Sequence, residues 1–280
     1  MDIKTGTLYL VSTPIGNLGD ITNRAVEILN KVDVCAAEDT RKSKVLFNAY
    51  EIKTKLTSYH KFSEKAKAPS LIKRIKNGED VALISDAGTP LISDPGRHLV
   101  NEAVKNDILV VPIPGVSSVV AALSVSGFNL DNFSFYGFPS RKNKERKALI
   151  DKICKSSGTS VFFESGKRIE DFLRDLSQSL PDKAEVLIAR EITKLHETFY
   201  RGNITAVINK IGSSKFGEKG EFVIVVSGST RNTDNQFSDE DKRVLNILIN
   251  SVGKKEALSI ASKILNKKRN LLYKIALEEQ

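Results

Sequence analysis

Short apolar runs alternate with segments of helical spacing along the first half of the chain. The runs at 7–12 and 81–84 predict buried strands, and segment 20–32 repeats apolar residues at the interval of one helix face. The same reasoning predicts strands at 33–37, 56–59 and 108–111, and helices at 40–50, 63–76, 95–106 and after the turn at 112–118. This alternation predicts an α/β fold with a largely parallel sheet between helices.

The pattern changes around 129–144, where an aromatic strand at 133–139 runs into a basic loop. We interpret this segment as the hinge between an N-terminal domain at 1–128 and a second α/β domain at 129–229. Strands at 160–164, 185–189 and 221–227, an alternating segment at 196–201 and helices at 167–179 and 204–211 are predicted there. Because its strands are close enough in sequence to pair like hairpins, the second sheet should be mixed.

The end of the chain differs from both sheet regions. The polar residues 230–236 lack periodicity and predict a linker. The tail, 237–280, shows three helical patterns, at 239–250, 254–265 and about 268–278. The last two patterns fit a helix-turn-helix unit, and they fit equally a small helical cap or a dimer contact.

Composition narrows the class of protein. A chain of 280 residues that is 40% hydrophobic can form two domains with separate cores. No apolar run approaches the ~20 residues of a membrane span, and the first residues lack a signal-peptide pattern, so we expect a cytoplasmic protein without membrane attachment. Cys35 and Cys154 have no C-x-x-C spacing, and the three histidines are scattered, so we expect no disulfide and no metal site.

The net charge of +9 suggests a polyanionic partner. Segment 140–155 holds seven Lys or Arg against two acidic residues, and further basic clusters lie at 254–255 and 267–269. Such a segment is either a solvated helix face or a surface that holds a phosphate backbone.

Four loops leave the predicted parallel strands, at 13–20, 37–41, 85–96 and 112–118. Ligands of open parallel sheets bind beyond the carboxyl ends of the strands, so these loops predict one crevice. Each ends at a helix start, where backbone N–H groups can hold carboxylate, ribose or phosphate oxygens. The G-x-G-x-x-G and P-loop patterns are absent, which argues against NAD and ATP. In the third loop, Ser93 or Asp94 should cap the next helix, with Pro95 near its first turn.

Seven segments, in this order, carry a family resemblance: LVSTPIGNLGDIT, AAEDTRKS, ISDAGTPLISDPG, VPIPGVSS, FFESGKRIED, AREITKLHETFYRG and KGEFVIVV. They resemble the ribosomal RNA small subunit methyltransferase I family, the RNA-modifying branch of the tetrapyrrole methylase superfamily, over about residues 5–228. The resemblance implies a two-domain S-adenosylmethionine-dependent enzyme, usually a homodimer, with its cofactor in the cleft between the domains. The implied reaction is methylation of a cytidine ribose 2′-hydroxyl in the decoding region of 16S ribosomal RNA in the small subunit.

By position, the resemblance implies cofactor contacts from both domains: Pro14, Gly16, Ser85, Asp86, Ala87, Gly88, Thr89, Pro114, Gly115, Ser117, Ser118, Glu164, Ala189, Arg190, Gly220 and Glu221. This chain departs from the common family pattern in two places. It has Val116 before the two serines where Pro is common, and Gly166-Lys167 where Pro-His is common.

Methyl transfer from a sulfonium is an in-line displacement, and a ribose hydroxyl needs a base or cation to lose its proton. Candidate catalytic residues are Glu38, Asp39, Glu191 and Lys194, although Glu38 and Asp39 equally fit a helix cap paired with Arg41. RNA binding is expected from Arg41, Arg141, Lys142, Lys144, Arg146 and Lys147. Two rival interpretations are a small-molecule methylase of the tetrapyrrole type and a non-catalytic RNA-binding protein.

Overall fold

The computed structural model describes residues 5–181, 184–214, 219–228, 239–265, 267 and 269–278. These residues belong to two compact units, Met1–Gly228 and Ser229–Gln280. Both predicted sheets lie in the first unit. The linker predicted at 230–236 lies outside the described residues.

The first sheet consists of five parallel strands: β1 (Leu8–Val11), β2 (Val34–Ala37), β3 (Lys55–Ser58), β4 (Val81–Ile84) and β5 (Val110–Ile113). Their order is β3-β2-β4-β1-β5, so the parallel sheet predicted from the strand–helix alternation is confirmed. Strand β5 begins two residues later than expected. A short 3-10 helix (Leu18–Asp20) and four α-helices connect the strands: α1 (Asn23–Lys31), α2 (Thr40–Ala49), α3 (Glu64–Lys76) and α4 (Arg97–Lys105).

The unbroken apolar runs of β2 and β4 follow from burial of both sheet faces. On one face Ala36 and Leu83 pack with residues of α3 and α4, such as Leu71. On the other face, Ala37 and Ile84 pack with residues of α1 and α2. Every side chain of β4 is buried. Residues that could contact a ligand therefore come in the loop that follows this strand.

The second sheet contains β6 (Phe133–Phe135), β7 (Thr159–Ser165), β8 (Glu185–Arg190), β9 (Thr198–Asn203) and β10 (Glu221–Val226). The order is β6-β7-β10-β8-β9; β6 and β7 are parallel and the other pairs are antiparallel, which confirms the mixed sheet. Three helices accompany it: α6 (Asn143–Cys154), α7 (Ile169–Ser179) and α8 (Ile204–Gly212). Helix α6 was not predicted, because it buries only Ile150 and Ile153 and is otherwise a basic, solvated segment.

Helix α5 (Ser118–Ser124) joins the two sheets. It follows β5 of the first sheet, yet its buried Val119 and Leu123 pack with Val223 and Val225 of β10 in the second. Ile15, from the loop after β1, packs against the same cluster. A shared apolar core therefore fixes the loops of the first sheet beside the second.

The second unit contains α9 (Asp239–Val252), α10 (Lys254–Ile264) and α11 (Arg269–Glu278), as predicted for the tail. Leu245, Leu258 and Leu272, one from each helix, form its core with Ala261 and Ala276. The helix-turn-helix interpretation stays a prediction. Among the described residues of the whole chain, no helix has the length and apolarity needed to cross a bilayer.

Candidate functional site

A cleft of about 360 Å³ lies between the loops of the first sheet and the ends of the second. Its volume is within the range of small-molecule sites. The residues that line it are Ile15, Glu38, Asp86, Ala87, Gly88, Thr89, Ile92, Ser93, Asp94, Ser117, Ser118, Phe138, Phe163, Glu164, Ser165, Glu191, Ile192, Lys194, Glu221, Phe222 and Val223. The crevice predicted from the strand-end loops is present.

Backbone hydrogen bonds hold the strand-end loops together. Thr13 and Gly88 exchange two N–H···O bonds, each 2.9 Å long, which join the loops after β1 and β4. The Thr89 hydroxyl donates to the Val116 carbonyl at 3.2 Å and so reaches the loop after β5. Three loops that are distant in sequence thus form one wall of the cleft.

Two glycines are required for this wall. Gly88 has φ +77°, a conformation that other residues rarely adopt. At Gly115, a Cβ atom would lie 2.8 Å from the Cβ of Ser12, so the close approach of two loops excludes a side chain.

Three carboxyl groups contribute to the first-sheet side of the cleft: Glu38, Asp86 and Asp94. Asp86 is held in place, because one oxygen accepts from the Asp39 N–H at 2.9 Å and the other pairs with Lys42 Nζ at 2.6 Å. Burial, reinforced by the charge of Asp86, raises the pKa of Glu38. Burial and the neighbouring Glu38 charge likewise raise the pKa of Asp94 to about 6, against the effect of a hydrogen bond with Ser85. Glu38 and Asp94 therefore bind protons more readily than ordinary surface carboxylates.

The cap predicted at Ser93 or Asp94 is wrong. Gly96, with φ +133°, is the N-cap of α4, and its N–H donates to Glu64 Oε2 at 3.1 Å. The backbone at Leu91 and Ser93 has φ of +73° and +72°, and Ser93 and Asp94 line the cleft. A Ser-Asp-Pro-Gly sequence is typical of a helix start. The residue types alone therefore did not indicate that Ser93 and Asp94 line the cleft.

Asp39 has the capping geometry that the sequence left as an alternative. Its carboxylate accepts from the Arg41 backbone N–H at 2.9 Å and from the guanidinium at 3.0 and 2.7 Å. These hydrogen bonds hold the pKa of Asp39 well below its usual range. The side chain of Arg41 is 88% exposed.

Glu191, Lys194 and Glu221 form a linked group on the second-sheet side. Glu191 Oε1 accepts from the Glu221 N–H at 2.8 Å and from Lys194 Nζ at 2.9 Å, while Lys194 also contacts Glu221 Oε2 at 2.8 Å. Burial alone would raise the pKa of Glu191. The hydrogen bond from the Glu221 N–H and the ammonium of Lys194 outweigh burial and lower it. The two carboxylates outweigh burial and raise the pKa of Lys194, so the lysine is protonated. Glu191 and Thr193 also have positive φ, of 51° and 67°.

Glu164 lies at the end of β7 with its side chain fully buried. It accepts from the Ser165 N–H at 2.8 Å and forms an ion pair of 3.1 Å with Arg168. Burial raises the pKa of this carboxyl despite both contacts.

The predicted site residues fall into two groups. Those that line the cleft are Glu38, Asp86, Ala87, Gly88, Thr89, Ser117, Ser118, Glu164, Glu191, Lys194 and Glu221. Those that lie outside its lining are Pro14, Gly16, Asp39, Ser85, Pro114, Gly115, Ala189, Arg190 and Gly220. Arg190 is 6% exposed and donates to the carbonyls of Lys219 at 2.6 Å and His196 at 3.1 Å, so it holds two loops together.

Sequence reasoning missed Asp94 and the apolar contributors Ile15, Ile92, Phe138 and Ile192. For Phe138, the aromatic run at 133–139 could have indicated a role in the cleft. Its side chain is 55% exposed, whereas a strand residue of the core would be buried. Isolated isoleucines in loops carry no comparable signal.

The predicted RNA-binding residues of segment 141–147 differ in accessibility. Arg141, Lys142, Lys144 and Lys147 are exposed, and Lys142 forms an exposed ion pair with Glu145 at 3.0 Å. The Arg146 side chain is 12% exposed and contacts Asp175 Oδ2 at 2.5 Å.

The cleft fits S-adenosylmethionine by charge and by polarity. Among the described residues of its lining, six are carboxylates and one, Lys194, is a cation, which suits the sulfonium and ammonium groups of that molecule. The isoleucines and Phe138 and Phe163 provide apolar surface for an adenine ring.

Comparison with known proteins identifies the family. Residues 7–208 match the Tetrapyrrole (Corrin/Porphyrin) Methylases. The ribosomal RNA small subunit methyltransferase I of Pasteurella multocida is 41% identical over 278 residues, which cover 99% of this chain and 99% of the relative. The protein of the same name from Vibrio cholerae is 43% identical over 271 residues, covering 97% of this chain and 94% of the relative.

Solved structures share the fold at low sequence identity. A cobalt precorrin-4 methyltransferase, described as a cobalamin biosynthetic enzyme, matches with a TM-score of 0.60 and 15% identity over 79% of this chain and 94% of its own. A uroporphyrin III C-methyl transferase from Thermus thermophilus matches with a TM-score of 0.57 and 15% identity over 79% of this chain and 97% of its own. The chain therefore belongs to the tetrapyrrole methylases and, among them, to the family of ribosomal RNA small subunit methyltransferase I.

Proposed function

We propose that this methyltransferase transfers the methyl group of S-adenosylmethionine to the ribose 2′-hydroxyl of a cytidine in the decoding region of 16S ribosomal RNA. The observation that carries the proposal is the 41% identity to a ribosomal RNA small subunit methyltransferase I along 99% of both chains. The carboxylate-rich cleft and the exposed cations of segment 141–147 support it. We further propose that the enzyme acts in the cytoplasm, on the small ribosomal subunit or its RNA, as a homodimer.

Bound S-adenosylmethionine supplies a methyl group already activated on a positively charged sulfur. The protein must align the hydroxyl oxygen with the methyl carbon and keep water from the reacting atoms. The apolar side chains of Ile92, Phe138 and Phe163 line the cleft, where they would shield the reacting atoms from water once both substrates are bound. The paired Thr13 and Gly88 backbones hold the loops after β1 and β4 in a fixed position.

Of the carboxyl candidates predicted from the sequence, Glu38, Asp39 and Glu191, Glu38 is the one that lines the cleft with a raised pKa, and we propose it as the acceptor of the hydroxyl proton. It lines the cleft, and its raised pKa makes it a stronger base than an ordinary glutamate. The Glu38 carboxylate would accept the proton that the ribose hydroxyl loses when its oxygen takes the methyl group. Lys194 remains protonated between Glu191 and Glu221, where its two ion pairs hold both carboxylates in position at the second-sheet side of the cleft.

The proposed function is tested with small ribosomal subunits that lack this methylation and S-adenosylmethionine labelled on its methyl group. After digestion of the RNA to nucleosides, we expect the label in 2′-O-methylcytidine from the decoding region. Label in a base instead of a ribose would contradict the proposed acceptor, and an unlabelled RNA would contradict an RNA methyltransferase.

The same labelling experiment separates the alternatives. A parallel reaction with uroporphyrinogen III tests the small-molecule methylase, whose fold this chain shares with the solved structures. RNA that is bound with no labelled product in either reaction would indicate a non-catalytic RNA-binding protein. A Glu38→Gln variant serves as the matched control, because it preserves the shape of the side chain and removes its charge.

A further inference from the structure

A second cavity, of about 420 Å³, borders the cleft, and four of the eight described residues that line it are cations. Arg141, Arg146, Lys167 and Arg168 contribute to it, while Glu164 and Ser165 line both this cavity and the cleft. We name it the basic pocket. The end of β7 thus separates the two cavities.

Two of its four cations are held by acidic partners. Arg168 pairs with the buried Glu164 at 3.1 Å and also donates to the Pro139 carbonyl. Arg146 pairs with Asp175 at 2.5 Å. These contacts compensate the charge of Glu164 and fix the walls of the pocket.

The remaining two cations are free to bind a ligand. Within the described parts of the chain, neither Arg141 nor Lys167 forms an ion pair, and both line the pocket. The acidic side chain of Asp171 also contributes to the lining, and it lies 3.5 Å from Arg174. The pocket therefore has an excess of positive charge beside the methyl-transfer cleft.

We propose that the basic pocket binds one backbone phosphate of the RNA, adjacent to the nucleotide whose ribose enters the cleft. This inference rests on the proposed function and assigns the anion site that function requires. Arg141 and Lys167 contact the phosphate oxygens, because a guanidinium and an ammonium form charge-assisted hydrogen bonds with them. Arg168 neutralises Glu164 and so removes the repulsion that a carboxylate would exert on the phosphate. A phosphate held on one side of β7 positions the neighbouring ribose on the other side.

The test uses short RNAs that contain the acceptor cytidine, with the flanking phosphodiesters replaced one at a time by neutral methylphosphonates. Binding is measured by fluorescence anisotropy, and methylation is measured in parallel. We expect one replacement to weaken binding by the wild-type protein about 10-fold, because it removes a charge-assisted hydrogen bond. Arg141→Gln and Lys167→Gln should weaken binding of the unmodified RNA by a similar factor and abolish the effect of that methylphosphonate.

Two controls isolate the pocket. Lys155→Gln removes an exposed cation from the end of the same basic segment, outside the pocket, and should leave binding unchanged. Lys167→Arg should preserve the methylphosphonate effect, and the affinity for S-adenosylmethionine, measured by calorimetry, should be the same in all variants.

The outcomes for the pocket and for the proposed function are distinguishable. If Arg141→Gln and Lys167→Gln bind like the wild-type protein and keep the full methylphosphonate effect, the phosphate site is wrong even when the RNA is methylated. If no RNA is methylated, the proposed function fails, and the anisotropy comparison still supports or overturns the phosphate site.

Discussion

Gly16, in the loop after β1, lies against the side chain of Lys194, in the loop after β8. A Cβ atom on Gly16 would lie 2.3 Å from Lys194 Cγ and 3.1 Å from Thr193 Oγ1. Gly16 lies outside the cleft lining, but it allows the lysine to reach Glu191 and Glu221. The absence of a side chain at one position thus permits an ion pair in the other half of the site.

A Gly16→Ala substitution should therefore displace Lys194. We expect methylation to fall about 10-fold, as expected when a positioned charge is moved in an active site. Gly19→Ala is the matched control, because its Cβ would meet only Asn17 Oδ1, at 3.3 Å in the same loop. Activity is compared with the thermal midpoint of each variant; equal losses in both variants would argue against the lysine contact.

Glu38→Gln tests the proton acceptor. We expect kcat to fall about 10²–10⁴-fold while the affinity for S-adenosylmethionine is retained, because only proton transfer is lost. In the wild-type protein, kcat should rise with pH through the raised pKa of Glu38, since the ionised form accepts the proton. The variant should lack that rise; a variant with the wild-type pH profile would assign the acceptor to another group.

Asp39→Ala tests the capping role of the neighbouring carboxylate. Loss of the hydrogen bond to the Arg41 N–H should lower Tm by about 2–4 °C, whereas Asp39→Asn retains a good cap and should stay near the wild-type value. Methylation per folded molecule, measured well below Tm, should be unchanged in both variants. A large loss of kcat in Asp39→Asn would indicate a catalytic role instead.

Asp94 should make stability depend on pH. Its pKa in the folded protein is raised to about 6, above that of the unfolded chain, so its charged form destabilises the fold. The free energy of unfolding is therefore higher at low pH, where Asp94 is protonated, and it falls as pH rises through about 6. Solvent screens part of the effect, and we expect Asp94→Asn to raise Tm by about 2–4 °C at pH 8, with no difference near pH 4. Asp131→Asn, which removes a carboxyl group from an exposed loop, is the comparison and is measured in the same way.

Charge reversal at Arg141 and Lys142 should weaken RNA binding. For each phosphate of a single strand that the variant no longer neutralises, the slope of log affinity against log salt should become shallower by about 0.7. Lys105→Glu, on α4 and outside the basic segment, is the comparison. Equal affinity of both variants across a salt titration would exclude segment 141–147 from RNA binding.

The hydrophobic pattern predicted most of the elements, because strand and helix periodicity are local properties. It predicted which loops meet, since the carboxyl ends of parallel strands share one edge: Asp86, Gly88 and Ser117 come together in the cleft. The strand order β3-β2-β4-β1-β5 was not predicted, because it depends on which apolar faces pack together over long sequence separations.

The side-chain roles were harder to predict than the loops. Arg190 is the last residue of the buried strand β8, near the strand ends where ligands often bind, yet its guanidinium donates to two carbonyls of its own chain. Asp94 has the sequence context of a cap, yet it lines the cleft, in a loop whose Leu91 and Ser93 have positive φ. In both cases the role depends on the backbone conformation of loops, which the residue types alone do not indicate.

The left-handed backbone at Leu91, Ser93, Glu191 and Thr193 has a consequence for engineering. Each such residue costs about 1–3 kcal/mol, and all four belong to loops that border the cleft. A glycine at Leu91, Ser93 or Thr193 would relax the chain and raise heat tolerance, but it would also give the loop alternative conformations. At Glu191 it would also remove the carboxylate that accepts from Lys194 and from the Glu221 N–H. Selection for thermal resistance and selection for turnover should therefore favour opposite residues at Leu91, Ser93 and Thr193.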